Sequence, residues 1–110
     1  MPNSLLDLNE QIFHRFNLAK EGRVFDFHDE IEPFVHHVDE MILYLHDKQS
    51  QICALPYFND HKLQQLIKLI EEVSVECHYL STSKKLFLEK MKVIHHDLTY
   101  IQQKGGLPHV

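Results

Sequence analysis

Ten histidines among 110 residues are the first feature of this sequence that could do chemistry. An imidazole with a reference pKa of roughly 6.5 changes charge near neutrality and is a common ligand for transition metals. Several of the ten stand one helical turn from a carboxylate: Glu10 with His14, Glu32 with His36, and His36 with Glu40. Helical bundles hold metals between Glu and His side chains when these point inward. With a rise of about 1.5 Å per residue, His36-His37 and His95-His96 also lie nearly level on two helices that run parallel in an up-and-down bundle.

The phase of the apolar residues argues against an internal site. With the apolar stripes at heptad positions a and d, His36 and His96 fall at f, His37 at g and His95 at e. His14, His28, His46, His61 and His78 also miss a and d. The Glu-x-x-His pair of di-iron bundles is absent as well. The sequence therefore predicts solvated histidines, with no internal metal, no cofactor, and His36, His37, His95 and His96 as surface candidates only.

Thr82-Ser83-Lys84-Lys85 is the second place where chemistry could gather. Two lysines in the first turn of a helix oppose the helix dipole. Free backbone N–H groups, hydroxyls and ammonium groups together could hold an anion. The structural alternative is a charge cluster with Asp26, Asp29 and Glu30 at the start of the second helix, which an up-and-down bundle puts at the same end. That alternative explains the lysines without a ligand and is preferred.

Nucleophilic chemistry has less support. Cys77 lies on an apolar stripe, where a thiol behaves as a small hydrophobe. Cys53 lies in a connector with nothing adjacent to lower its pKa. Two distant cysteines read as free thiols in a reducing compartment. No glycine-rich phosphate loop and no G-x-S-x-G elbow occurs. No catalytic residue is assigned, and an enzyme is not expected.

The elements that must position these residues are helices. Three glycines and four prolines are too few for the turns of an all-β domain. Ser4 and Asp7 form a variant capping box for a first helix over about 4–20, with Leu5, Leu8, Ile12, Phe16 and Ala19 on one face and Gly22 beyond its end. Asp26 caps a second helix over about 26–48, with the stripe Phe27, Ile31, Phe34, Val38, Met41 and Leu45. Pro33 lies inside this pattern. Either the helix kinks there or the regular part begins near Glu32, and the unbroken phase favours a kinked continuous helix. After an apolar connector containing Leu55-Pro56-Tyr57-Phe58, Asn59 or Asp60 caps a third helix over about 60–80, with Leu63, Leu66, Ile70, Val73, Cys77 and Leu80. A fourth, over about 83–103, carries Phe87, Met91, Ile94, Leu98 and Ile101 and stops at Gly105-Gly106. Four such stripes with short connections predict one all-α domain over 1–110, an antiparallel up-and-down four-helix bundle.

Composition excludes several functions. A formal net charge of −5 lacks the basic face that nucleic-acid binding requires. No apolar run approaches the roughly 18–20 residues that span a bilayer. The start, Met1-Pro2-Asn3-Ser4-Leu5-Leu6-Asp7, has neither the basic nor the apolar region of a signal peptide, so a cytoplasmic protein is expected.

Three segments resemble one family. Cys77-His78-Tyr79-Leu80-Ser81-Thr82-Ser83-Lys84-Lys85-Leu86-Phe87 is similar to the aromatic-x-x-Thr-Ser-Lys-Lys-Arg-Phe stretch of the YppE-like proteins, small helical proteins of low-GC Gram-positive bacteria with no assigned function. The segment from Phe25 to Val35 and the Val38-Asp39-Glu40 that follows resemble the same family. The resemblance implies a four-helical up-and-down bundle in the cytoplasm, with Pro33 tolerated in the second helix, and it brings no catalytic residue. Leu86 stands where the family has Arg, Leu45 where Trp is common, and His96 near an expected Tyr.

The function these observations favour is a non-enzymatic interaction protein that presents a helix face, or the end shared by helices two and four, to a protein partner or a second copy. Its motivation is a set of apolar residues off the stripes: Leu6, Phe13, Leu43, Tyr44, Leu69, Leu88 and Tyr100. The alternative is a bundle that binds a metal or a small anion.

Overall fold

Four apolar stripes require four long helices to cover one another, and four long helices form. The computed structural model describes residues 4–110; the stretch 1–3, with which the absence of a leader was argued, lies outside the described residues. Helix α1 spans Leu5–Lys20, α2 Glu32–Asp47, α3 is the short Gln49–Cys53, α4 spans Asp60–Glu76 and α5 Lys84–Gly105. The described residues contain no strand, and no helix among them is long and apolar enough to cross a membrane.

Local chemistry sets most of the boundaries. Ser4 Oγ accepts the Asp7 N–H at 3.1 Å and Asn59 Oδ1 accepts that of Lys62 at 2.8 Å, so both helices begin on side-chain caps. Ser83 Oγ does the same for Leu86 in α5 at 3.3 Å, and Gly106 ends that helix in the left-handed region at φ 63°. The first two N–H groups of α1 are satisfied from the far end of the chain: Leu5 donates to the His109 carbonyl at 3.3 Å and Leu6 to that of Val110 at 2.7 Å. The buried side chains of Leu107 and Val110 seat that tail.

The second helix departs from the expected continuous helix over 26–48. Asp26 caps the Asp29 N–H at 2.7 Å, but the turn that follows, Phe27–Ile31, is π-helical, with the Ile31 N–H reaching back to the Asp26 carbonyl at 3.0 Å. Regular α-helix starts only at Glu32, with Pro33 in its first turn. A proline there has no N–H to bond and crowds the carbonyl four residues earlier, and the wider turn relieves both problems. The stripe is adjusted accordingly. Phe27 is exposed and Met41 only half-buried, while Ile42 joins Ile31, Phe34, Val38 and Leu45 inside.

The third helix is shorter than the expected 60–80. It stops at Glu76, the chain turns at Cys77-His78, and Leu80 is exposed rather than part of the stripe. Thr82 Oγ1 donates to the Glu76 carbonyl at 2.6 Å and closes the helix end. Lys20 Nζ, from the last turn of α1, donates to the carbonyls of Leu80 and Thr82 and holds the α4–α5 connection down.

Every predicted stripe residue of α1 and α5 is buried. Helix α5 packs on α1 and α4, and α2 packs on α4 and more lightly on α1. At the α1–α5 seam the Phe16 and Phe87 rings stack with centroids 4.0 Å apart and planes within 9°. Across α4 and α5, Lys90 bridges Glu72 at 3.3 Å and Glu76 at 3.0 Å. The expected connector holds α3, whose Ile52 is fully buried, and Phe58 closes the core beside it.

Phe87→Ala removes a ring packed on all sides and should lower unfolding free energy by about 3–5 kcal/mol in urea denaturation. Its neighbour Leu86, exposed on the same helix, should tolerate alanine within about 0.5 kcal/mol. Equal effects of the two substitutions would contradict this packing.

Candidate functional site

Two places outside the plain apolar core gather polar side chains: a buried Arg15–His78 contact at one end, and a groove along the α1–α5 seam.

His78 reverses an expectation. The heptad register set it off the core, but α4 ends before it and the turn directs it inward, leaving it 3% exposed. Its Nε2 lies 2.9 Å from Arg15 Nη1 and its Nδ1 3.3 Å from the Val75 carbonyl. A guanidinium can only donate, so Nε2 is the acceptor and the ring proton sits on Nδ1, directed to Val75. The Phe25 and Phe34 rings stand nearly perpendicular to the imidazole, with centroids 4.9 and 5.4 Å from it. The guanidinium lies 4.1 Å from the centre of the Phe34 ring, a cation–π arrangement. Burial, with Arg15 beside it, pushes the imidazole down to about 4. The ring is therefore neutral at pH 7, and the contact fastens α1 to the turn after α4.

Cys77, next to it, is buried with Sγ 3.5 Å from His78 Nδ1. Burial pushes its thiol up to about 12, so this Cys–His neighbourhood does not activate a nucleophile. Burial, followed by the charge of Asp60, also raises Cys53. Both cysteines are free thiols.

The other histidines stay near the surface. His36 pairs with Glu40 at 3.1 Å on its own helix, and His96 Nδ1 meets the buried Asp97 carboxylate at 3.0 Å. His37 is half-buried with its Nε2 unpartnered. His95 is exposed. Helices α2 and α5 share no extended contact, so the level His pairs are not joined. The described residues contain no group of three or more His, Cys, Asp or Glu side chains able to hold a metal.

The residues around Thr82-Ser83-Lys84-Lys85 are engaged locally. Thr82 and Ser83 spend their hydroxyls on helix ends, and Lys84 and Lys85 are exposed. Asp26 caps its own turn, and Glu30 pairs with Arg23 at 2.6 Å. No ion pair among the described residues joins Lys84 or Lys85 to Asp26, Asp29 or Glu30. The reason lies in the packing: α5 sits on α1 and α4, while Arg15 of α1 donates to the Glu30 carbonyl in the π-helical turn before α2.

The sequence does not predict the seam groove as a site, although two residues that line it, Phe13 and Leu88, are apolar residues off the stripes. Phe13 of α1 and Leu88 and Met91 of α5 line it, and its volume is about 490 Å³. Of the seven apolar residues off the stripes, Leu43 is exposed by itself, and Leu6, Tyr44, Leu69 and Tyr100 pack partly against the core. Leu88 also touches the core, but Phe13 remains 42% exposed above the groove. Glu10, Lys92 and His95 complete the rim.

Asn9 stands one heptad before Phe16, whose ring stacks on Phe87. Asn9 is 8% exposed, lines the groove, and its Oδ1 has no hydrogen-bond partner. An unsatisfied buried acceptor costs about 1–3 kcal/mol. The sequence signal for it was present: an amide at a position facing a neighbouring helix.

These features describe a small all-helical protein with an open, largely apolar groove along its α1–α5 seam. Residues 3–104 match the family model described as a bacterial domain of unknown function (DUF1798), and the chain belongs to that family. It is similar to a DUF1798-family crystal structure from Staphylococcus aureus, with 32% identity over 91% of this chain and 94% of that one, and a TM-score of 0.78. A comparison with curated proteins returned no match.

The His78 contact gives a pH dependence of definite sign. The unfolded chain binds a proton on this histidine below about pH 6.5, but the folded one only below about pH 4. Between those values the unfolded state holds more protons, so this contribution to stability is complete above pH 6.5 and is lost as pH falls, at up to about 1.4 kcal/mol per unit. In urea titrations at pH 7 and pH 4.5, His78→Gln should show a shallower loss than the native protein; parallel losses would refute the buried neutral imidazole. The thiols give a second check. Iodoacetamide at pH 8 should label Cys53 first and Cys77 only on unfolding, read by peptide mass spectrometry.

Proposed function

We propose that this protein is a non-enzymatic interaction module of the cytoplasm, and that the α1–α5 groove receives an apolar side chain of a protein partner. The observation that carries this reading is the convergence of Phe13, Leu88 and Met91 on one open apolar groove. An exposed apolar concavity flanked by charges of both signs, Glu10 and Lys92, has the composition of a recognition surface: apolar centre, polar rim. The raised thiols and the neutral, occupied His78 give a nucleophile or a general base no support.

We further read the four long helices as an antiparallel up-and-down bundle. Supporting this are the short connections and the return of α5 against α1. The YppE-like resemblance and DUF1798 membership are taken as two descriptions of one family.

The test is a paired capture from the cytosol of a bacterium that carries the protein. Phe13→Glu should lose its specific partner by at least about tenfold, while Leu43→Glu, a charge at an exposed apolar site away from the groove, should retain it. Equal retention by both variants would overturn the groove as the recognition surface. A dimer seen by light scattering and abolished by Phe13→Glu would replace the heterologous partner with a second copy.

A further inference from the structure

The chain has nine lysines and only two arginines, and the fold brings both arginines to one pocket. Gln11, His14, Arg15 and Leu18 recur at intervals of three and four, so they share one face of α1. Beyond the turn at Gly22, Arg23 and Phe25 complete the lining of a concavity of about 290 Å³. The guanidinium carbons of Arg23 and Arg15 lie 4.6 and 5.5 Å from the centre of the buried Phe25 ring. Glu30 ties both down: its Oε2 accepts from Arg23 Nη2 at 2.6 Å and its carbonyl from Arg15 Nη1 at 3.4 Å. Its Oε1 accepts the Asp26 N–H at 3.4 Å. Two fixed guanidiniums therefore share a single carboxylate, and positive charge is left over.

The surplus is at Arg15. A guanidinium carries five N–H donors. Nη1 spends its own on His78 and the Glu30 carbonyl, while Nη2 and Nε have no partner among the described residues. Neither of those two nitrogens is sealed inside the protein. Burial works against the charge of Arg15 and pulls its pKa below the ordinary arginine value. A half-buried cation without a carboxylate partner gains most from an anion that reaches it. We infer that the pocket between α1 and the Arg23–Phe25 segment binds a small organic oxyanion, a carboxylate or a phosphate monoester, held by Arg15 and Arg23 with its apolar part along Leu18 and Phe25. Arginine suits this task better than lysine because its planar fork presents paired N–H groups to two oxygens at once. Gln11 and His14 add further N–H donors to the lining. The volume is at the small end of the range for ligand pockets, which fits a small molecule rather than a chain segment. This site uses none of the residues that line the α1–α5 groove and stands without it.

The two arginines give two side-chain Nε–H signals in the ¹⁵N-labelled protein, one reporter for each half of the site. The probes are benzoate and acetate, phenyl phosphate and inorganic phosphate, and the uncharged benzyl alcohol, all at one ionic strength. At least one of benzoate and phenyl phosphate should move both Nε signals saturably, and the tighter of the two identifies the head group. Within the pair that binds, the aromatic member should bind at least about threefold tighter than its small counterpart, since a buried methylene-sized apolar contact is worth that much. Benzyl alcohol should leave both signals in place. Arg23→Gln frees the Glu30 carboxylate to neutralise Arg15, so the affinity read at the Arg15 signal should fall by at least about tenfold, the worth of a charged hydrogen bond. Lys84→Gln, which removes a charge from an exposed site elsewhere, should keep the affinity within about twofold. Arg23 is half-exposed and its ion pair contributes little to folding; if Arg23→Gln nevertheless fails to fold, Arg23→Lys keeps the charge, loses the fork, and should also weaken binding. Silence of both Nε signals toward all four anions would overturn the site. So would native affinity in the Arg23 variant, or an equal loss in Lys84→Gln, which would mark attraction to diffuse surface charge. Equal binding of the aromatic and small anions would overturn the role given to Leu18 and Phe25.

Discussion

The seam between α1 and α5 is the constraint on which the rest of this molecule depends. Helix α5 must return against α1 for either apolar stripe to leave water, and the stacked rings of Phe16 and Phe87 fix the approach of the two helices. Two fully buried aromatic side chains in near-parallel contact leave little freedom of rotation or sliding. One heptad earlier on α1 the same position is Asn9, which is buried and lines the groove along this seam.

Around His78, contacts of a different kind hold the connections. Lys20 grips the carbonyls of the α4–α5 connection, and Arg15 grips His78 after α4 while also reaching the Glu30 carbonyl in the π-helical turn. Two cations on α1 therefore organise two loops. Their partners are backbone oxygens and one neutral imidazole rather than carboxylates. Such contacts are less sensitive to salt than surface ion pairs, because the charge is held against fixed dipoles inside the protein. The same arrangement depends on pH, since it requires His78 to stay unprotonated.

The histidines show how differently a residue type can be used within one chain. Most lie on solvated faces or pair with a carboxylate on the same helix, where they stabilise little. His78 alone among those discussed is enclosed by aromatic rings and a guanidinium, and there the desolvation of its charged form dominates. Abundance of histidine in the sequence is therefore a poor guide to its role. Enclosure by neighbouring elements is what gives one of them a definite protonation state.

By itself the sequence determined the helices and most of their inner faces. The stripes of α1 and α5 are buried without exception, and the caps at Ser4, Asn59 and Ser83 follow from local hydrogen bonding that needs no distant partner. Local rules failed where two elements compete for the same residue. Pro33 is accommodated by a π-helical turn instead of a kink, and α4 yields its last turn so that His78 can meet Arg15, which lies far away in sequence. Lys84 and Lys85 were matched to the acids of the second helix on height alone, but height does not specify which helices are neighbours. The groove was half visible, in Phe13 and Leu88, since an apolar residue off its stripe is legible. What Phe13 and Leu88 enclose was not, because a cavity belongs to no single helix: it is the volume left over when two helices have settled at the distance their largest residues allow.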